Sequence, residues 1–283
     1  MLPIRNLKKS SRCPYAFAVV SGKGGVGKTN TAANLAILAA ESGKRVLLCD
    51  ADLGLSNVDA LLGLSPQHTF EEVLQFKIDM REVMVRGPGG ITILPASTGN
   101  AEMAALSLSQ INWLCESIEL AAKDFDILII DAPSGIAPTM QRMVELADEL
   151  LLLTTPEPTA VMDAYAVVKI FSARRPSLPV KLAVNMISDL DSGERIAAGF
   201  HEVVGRFLGR EIETVARMPF DVHVPLAVRR QLPYAQCFPQ CPATRALRNL
   251  YQRLVGGGSL GADAKDLYMP RLSSGEPRNR LPQ

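Results

Sequence analysis

Gly22-Lys23-Gly24-Gly25-Val26-Gly27-Lys28-Thr29 is the stretch whose reading decides the fold. It satisfies G-x-x-x-x-G-K-[ST] at each fixed position, the pattern of a phosphate-binding loop. Its glycines let successive backbone N–H groups turn inward around phosphate oxygens. Lys28 supplies a point charge for β- and γ-phosphates, and Thr29 a hydroxyl for Mg²⁺. Ala16 to Val20, just before the loop, is an apolar strand candidate. Thr31 to Ser42, just after it, is an Ala/Leu-rich helix candidate with Gly43 as its C-terminal cap. Strand, glycine-rich loop and helix N-terminus in that order make an anion site, because the helix dipole and its first N–H groups both favour negative charge.

Two further strands end in acids. Arg45 to Asp50 is a hydrophobic run closed by Asp50, and Asp52 follows two residues later. Carboxylates at i and i+2 leave a strand end on the same side. A nucleotide bound to a parallel sheet lies at the carboxyl ends of its strands, where both acids fall. Asp52 is the candidate to orient the water that attacks the γ-phosphate, and Asp50 to support Mg²⁺ and its waters. Capping a helix N-terminus is the competing role for either. Asp126 to Asp131 repeats the pattern, and Asp131 is placed to hold a magnesium-bound water. The turn Ala132-Pro133-Ser134-Gly135 then offers the Gly135 N–H to a γ-phosphate.

From residue 15 to about 255 strands and helices alternate. Further strands fit 91–94, 150–154 and 180–185; helices fit 108–123, 159–171, 193–208 and 243–255. The strands are apolar throughout rather than alternating, which implies a mainly parallel sheet with helices on both faces. The fold class is therefore α/β, a P-loop NTPase, with one ATPase domain over 15–255. Residues 1–14 read as a short flexible basic N-terminus and 256–283 as a disordered polar tail.

The chain has 283 residues, 47% of them hydrophobic, and a net charge of +1. That size buries one good core. The balanced charge disfavours a nucleic-acid coat, and Arg174-Arg175 and Arg229-Arg230 read as solvated faces. No apolar run reaches the ~18 residues of a spanning helix, and Met1 to Pro14 holds no secretory signal. The expectation is a cytoplasmic protein, with peripheral attachment at the inner face of the cell membrane left open. Cysteines at 13, 49, 115, 237 and 241 do not form a disulfide framework. Cys237 and Cys241 have the separation of two ligands that meet across a metal or a dimer axis. Without a further Cys/His cluster in the sequence, structural thiols are expected.

Lys23 is not required by the generic loop. G-K-G-G-V-G-K-T resembles the deviant phosphate loop of the MinD/ParA family of ATPases, and Asp50 to Asn57 resembles that family's first switch, D-x-D-x-G-x-x-N. The resemblance implies that Lys23 reaches across a nucleotide-sandwich dimer to the partner's ATP, so that ATP and Mg²⁺ drive homodimerisation. It assigns adenine binding to Asn185, whose amide offers a donor and an acceptor at a strand end; a turn-forming role is the alternative from the residue alone. It also places Met218-Pro219-Phe220-Asp221 against the base and Glu157 against nucleotide in the dimer.

Within that family the stretch Glu157-Pro158-Thr159-Ala160-Val161-Met162-Asp163-Ala164-Tyr165-Ala166 resembles the flagellar number regulators FlhG/FleN. So do Gly89 to Ala96, and Pro219-Phe220-Asp221 followed by Val228-Arg229-Arg230. The resemblance covers about 15 to 255. It implies partners among an SRP-type GTPase, FlhF, a flagellar transcriptional activator and basal-body proteins. Two features depart from it. Residues 1–14 do not contain the D-Q-A-x-x-L motif that engages FlhF, so weak or no stimulation by this segment is expected. Thr244 to Val255 has an amphipathic face, but fits the last core helix better than a membrane helix. Septum-positioning or DNA-segregation ATPases, and a nucleotide-binding scaffold with negligible turnover, are the rival readings.

Overall fold

Strand β1 (Tyr15–Val20) shows how an all-apolar run builds a two-faced sheet. Successive side chains alternate across a strand. Ala16, Ala18 and Val20 therefore enter one core, while Phe17 and Val19 enter the other. The computed structural model describes residues 14–54, 56–96, 103 and 106–255. The N-terminus and tail expected to be flexible lie outside these residues, Pro14 apart.

The described chain continues through α1 (Lys28–Glu41), β2 (Val46–Asp50), α2 (Val58–Leu62), α3 (Phe70–Leu74), β3 (Val85–Arg86) and β4 (Thr92–Leu94). Next come α4 (Leu108–Ala122), β5 (Ile127–Asp131), α5 (Pro138–Val144), β6 (Glu149–Thr154), α6 (Pro158–Arg174) and β7 (Val180–Ile187). The remainder is α7 (Leu190–Leu208), β8 (Glu213–Pro219), α8 (His223–Arg229), α9 (Tyr234–Cys237) and α10 (Pro242–Val255). The eight strands lie in the order β3-β4-β2-β5-β1-β6-β7-β8. Each pairing is parallel except the short β3 against β4.

α1 and α10 cover one face, with Leu35, Ile37, Leu247 and Leu250 fully buried. α4, α5, α6 and α7 cover the other, through residues such as Ile118, Met140, Phe171 and Phe200. Truncating any one of these to Ala would cost about 2–5 kcal/mol. α10 spends its apolar face on this core: Leu247, Leu250 and Leu254 are buried, and Tyr251 shares a 2.7 Å hydroxyl contact with Ser42. Among the described residues no helix is long and apolar enough to cross a membrane.

β8 is absent from the sequence reading. Its polar Glu213 and Arg217 and its terminal Pro219 hide the pattern, and a polar strand closing in proline is an edge strand. Strand β7 also runs two residues beyond the expected end, to Ile187.

Candidate nucleotide site

Every candidate residue lies near the carboxyl end of a strand, in its last residues or in the segment that follows. Strands β2 to β5 lie on one side of β1 and β6 to β8 on the other, so β1 marks the switch point where a parallel sheet opens a crevice.

The loop after β1 runs into α1, which begins at Lys28 rather than Thr31. Lys28 and Thr29 thus stand in the first helical turn. Gly27 precedes that turn at φ 93°, offers it no capping side chain, and no acid lies in it. Its N–H groups remain suited to an anion. Glycine at 27 is also a matter of space, since a Cβ would come within 2.5 Å of Asn185 Nδ2. At Gly22 a Cβ would meet the Asp163 carbonyl oxygen at 2.2 Å, so the loop's entrance lies directly on α6.

Lys28 is buried, and its Nζ donates to Ser134 Oγ at 2.6 Å. Burial lowers its pKa, while the charges of Asp131 and Asp52 pull it back up. The parallel register puts Asp50 directly beside Asp131. Burial, and then the neighbouring Asp50, push Asp131 up to about 7, against a hydrogen bond from Thr29 and the Lys28 charge. Burial likewise pushes Asp50 up to about 6. Among the described residues Asp131 Oδ1 has no hydrogen-bond partner. Two adjacent buried carboxylates, one with an orphaned oxygen and a hydroxyl beside it, call for positive charge. These hard oxygen donors fit Mg²⁺, and the open glycine-lined helix start with Lys28 fits nucleotide phosphates.

Asp50 also takes the capping role. Its Oδ2 accepts from the N–H groups of Asn57 (2.9 Å) and Val58 (3.1 Å) and from Ser56 Oγ (3.2 Å). It fastens the switch segment to the sheet. Asp52 is half-buried, and its Oδ2 accepts from Asn57 Nδ2 at 3.4 Å. The Gly135 N–H, expected to face a γ-phosphate, donates instead to Ser21 O at 3.1 Å. Lys23 Nζ donates to the Glu157 carboxylate and, at 3.0 Å, to Thr159 Oγ1 of the same chain. Glu157 therefore sits with the phosphate loop and does not line the base cleft.

That cleft opens on the β7–β8 side. It encloses about 500 Å³, mouth included, and Gly27, Thr31, Asn185, Pro219, Phe220 and Val224 are among its walls. The Asn185 amide is already engaged: Nδ2 donates to Val26 O at 2.8 Å, and Oδ1 accepts from Met186 N–H at 2.9 Å. Met186 holds a left-handed φ of 57°, a strained conformation for this side chain and one that clusters at binding sites. Asp221 lines the cleft, but its carboxylate turns away to the Ala243 N–H (3.0 Å) and His223 Nδ1 (2.7 Å). Phe220 is 62% exposed beside the opening.

Sequence reading missed Ser134 as the partner of Lys28, Asp163 as the floor under Gly22, and Met186. Ser134 had a signal, its position in the turn after an acid-ended strand. The other two had none short of the fold.

Similarity to known proteins agrees with this geometry. A family model described as "ParA: NUBPL iron-transfer P-loop NTPase" matches residues 13–255. The antiactivator FleN of Pseudomonas aeruginosa is 37% identical over 238 residues, covering 84% of this chain and 85% of its own. The septum site-determining protein MinD of Bacillus subtilis is 31% identical, covering 85% of this chain and 89% of its own. The structure of MinD from Pyrococcus horikoshii complexed with Mg-ADP superposes with a TM-score of 0.73 at 21% identity, covering 86% of this chain and 96% of that one.

Proposed function

The chain belongs to the MinD/ParA family of P-loop ATPases, and from that premise we propose that it is a dimerising ATP switch controlling flagellar number and placement. The observation that carries the flagellar assignment is its 37% identity to the antiactivator FleN over 84% of this chain and 85% of the relative. The run Glu157 to Ala166, whose Asp163 supports Gly22 and whose Glu157 and Thr159 hold Lys23, adds to it.

Lys28 and the N-terminal N–H groups of α1 bind the β- and γ-phosphates. Thr29, Asp50 and Asp131 hold the magnesium ion, directly or through its waters. Mg²⁺ when bound neutralises phosphate charge and lowers the barrier to phosphoryl transfer. Asp52 orients the attacking water. It stands on the segment that Asp50 anchors through Asn57 and Val58, so its position follows the state of the metal ligands. Asn185 and the Pro219–Asp221 segment hold the base. Lys23 leaves Glu157 and reaches the nucleotide of a second copy when the dimer closes. ATP then builds the form that docks partners, and hydrolysis dissolves it. An SRP-type GTPase, a transcriptional activator and basal-body proteins are the partner classes in keeping with the FlhG/FleN likeness, at the inner face of the membrane.

Two linked experiments test this. Deleting the gene in its native cell should raise flagellar number or displace flagella, while septa and chromosome partition stay normal by electron microscopy. In the purified protein Asp52→Ala should keep ATP binding but release phosphate at least about 100-fold more slowly. Unchanged flagella together with minicells or lost plasmids would move the assignment to the division or segregation branch. Phosphate release at the wild-type rate would remove Asp52 from the chemistry.

A further inference from the structure

Cys237 and Cys241 have no part in the nucleotide site, and the fold does not bring them together into one. It carries Cys241 instead to the start of α10, against the turn that enters α8. There Cys241 Sγ, a ring nitrogen of His223 and a carboxylate oxygen of Asp221 all lie within 4.8 Å of one another. Asp221 and Cys241 are buried, each 7% exposed, and the His223 side chain is at the rim, 42% exposed.

Helix capping explains part of this cluster. Asp221 Oδ2 accepts from the Ala243 N–H at 3.0 Å, and Cys241 Sγ accepts from the Thr244 N–H at 3.4 Å. Two acceptors already serve the start of α10. The His223 ring makes no bond to the helix start itself; its Nδ1 is turned inward onto the capping carboxylate of Asp221 rather than toward water. The Phe238 ring, 4.7 Å from the imidazole between centroids, supports it there.

We propose that Asp221, His223 and Cys241 form a binding site for a zinc-class divalent metal ion, with carboxylate, imidazole and thiolate ligands and a fourth position on the solvent side. This mixed O, N and S set is the donor chemistry that zinc prefers. Tetrahedral zinc with bonds of about 2.0–2.3 Å places its ligand atoms about 3.3–3.8 Å apart, so closing this cluster needs movements of only about 1 Å. The surroundings are those of ligands held by their neighbours. Asp221 is fixed by the Ala243 N–H and the His223 N–H, and the Thr244 N–H and hydroxyl lie on the sulfur. No electron transfer is involved. The thiol, kept protonated by burial, gives its proton to solvent as the sulfur binds the ion. The Nδ1–H that faces the Asp221 carboxylate is given up to solvent as the ion takes its place, and the imidazole stays neutral by taking a proton from solvent on Nε2. The bound ion would clamp the end of β8 to the start of α10, beside the cleft that Asp221 and Ala243 line.

The test uses the untagged full chain, reduced and free of nucleotide, titrated with Co²⁺ as a spectroscopic stand-in for zinc. One equivalent should produce the near-ultraviolet absorption of a cobalt–thiolate bond, and Zn²⁺ should remove it. Cys241→Ser should lose that absorption, and Cys237→Ser should keep it. His223→Gln, at the half-exposed rim, should weaken binding at least about tenfold. Zinc should also raise the melting temperature of the wild type but not of Cys241→Ser. A wild-type protein without a stoichiometric cobalt–thiolate band, or a band that survives in Cys241→Ser, would overturn the proposal.

Discussion

The two halves of the nucleotide site are built on different physics. The phosphate half, on β1, β2 and β5, gathers charge under burial. Lys28, Asp50 and Asp131 are all buried there, and both carboxylates are pushed well above their usual range. The base half, on β7 and β8, is made of backbone shape, an amide and apolar walls. Buried charge at a protein site is poised for a charged ligand, and removing one member is expensive. A neutral amide exchanges one hydrogen bond for another, and the net change is small. The first half should therefore dominate affinity and the second should set which base is accepted.

The largest expected effect follows from the charged half. Lys28→Ala should lower ATP affinity at least about 100-fold in calorimetry, because charge-assisted hydrogen bonds contribute about 1.5–3 kcal/mol each and this ammonium serves two phosphates. Far-ultraviolet circular dichroism should be unchanged. An affinity within about threefold of the wild type would erase the contrast between the halves.

The same contrast decides what could be read from sequence. A glycine-rich loop, Lys28, and acids closing hydrophobic strands form local strings, because phosphates and Mg²⁺ demand fixed residue types at fixed spacing. The parallel sheet followed from uninterrupted apolar strands. The base half has no such demand. Asn185 and Pro219 are ordinary residues, and only the β7–β8 pairing brings them to the loop. β8 itself was hidden because an edge strand tolerates Glu213, Arg217 and Pro219. The Lys23–Glu157 pair spans 134 positions and is likewise a product of the fold. His223 and Asp221 next to Cys241 are a further case, since three different residue types from two segments leave no motif.

Gly27 is where the halves meet, and Gly27→Ala should be the next largest effect. The residue has a φ of 93°, and a Cβ would sit 2.5 Å from Asn185 Nδ2. The backbone part costs about 1 kcal/mol and the clash adds about 1–2 kcal/mol. Urea denaturation should show a loss of about 2–3 kcal/mol for the single variant. Adding Asn185→Ala removes the obstructing amide, so the pair should recover about half of the loss; strict additivity would separate the two halves mechanically.

Asn185→Ala alone should have the smallest effect and be the sharpest test of the base half. In the ligand-free protein its Nδ2 is spent on the Val26 carbonyl, and its Oδ1 on the Met186 N–H. An adenine edge that takes over one of these bonds gains only the difference between two neutral hydrogen bonds. Truncation should therefore weaken ATP about two- to tenfold, equivalent to about 0.5–1.5 kcal/mol. It should narrow the preference for ATP over GTP by a similar factor, because the amide carries the donor and acceptor pattern that tells the bases apart. Competition binding of ATP and GTP measures both. A uniform loss for the two nucleotides, accompanied by a lower melting temperature, would mean that Asn185 acts by bracing the loop at Val26 and Gly27. Selectivity would then lie with the walls formed by Met186, Pro219 and Phe220.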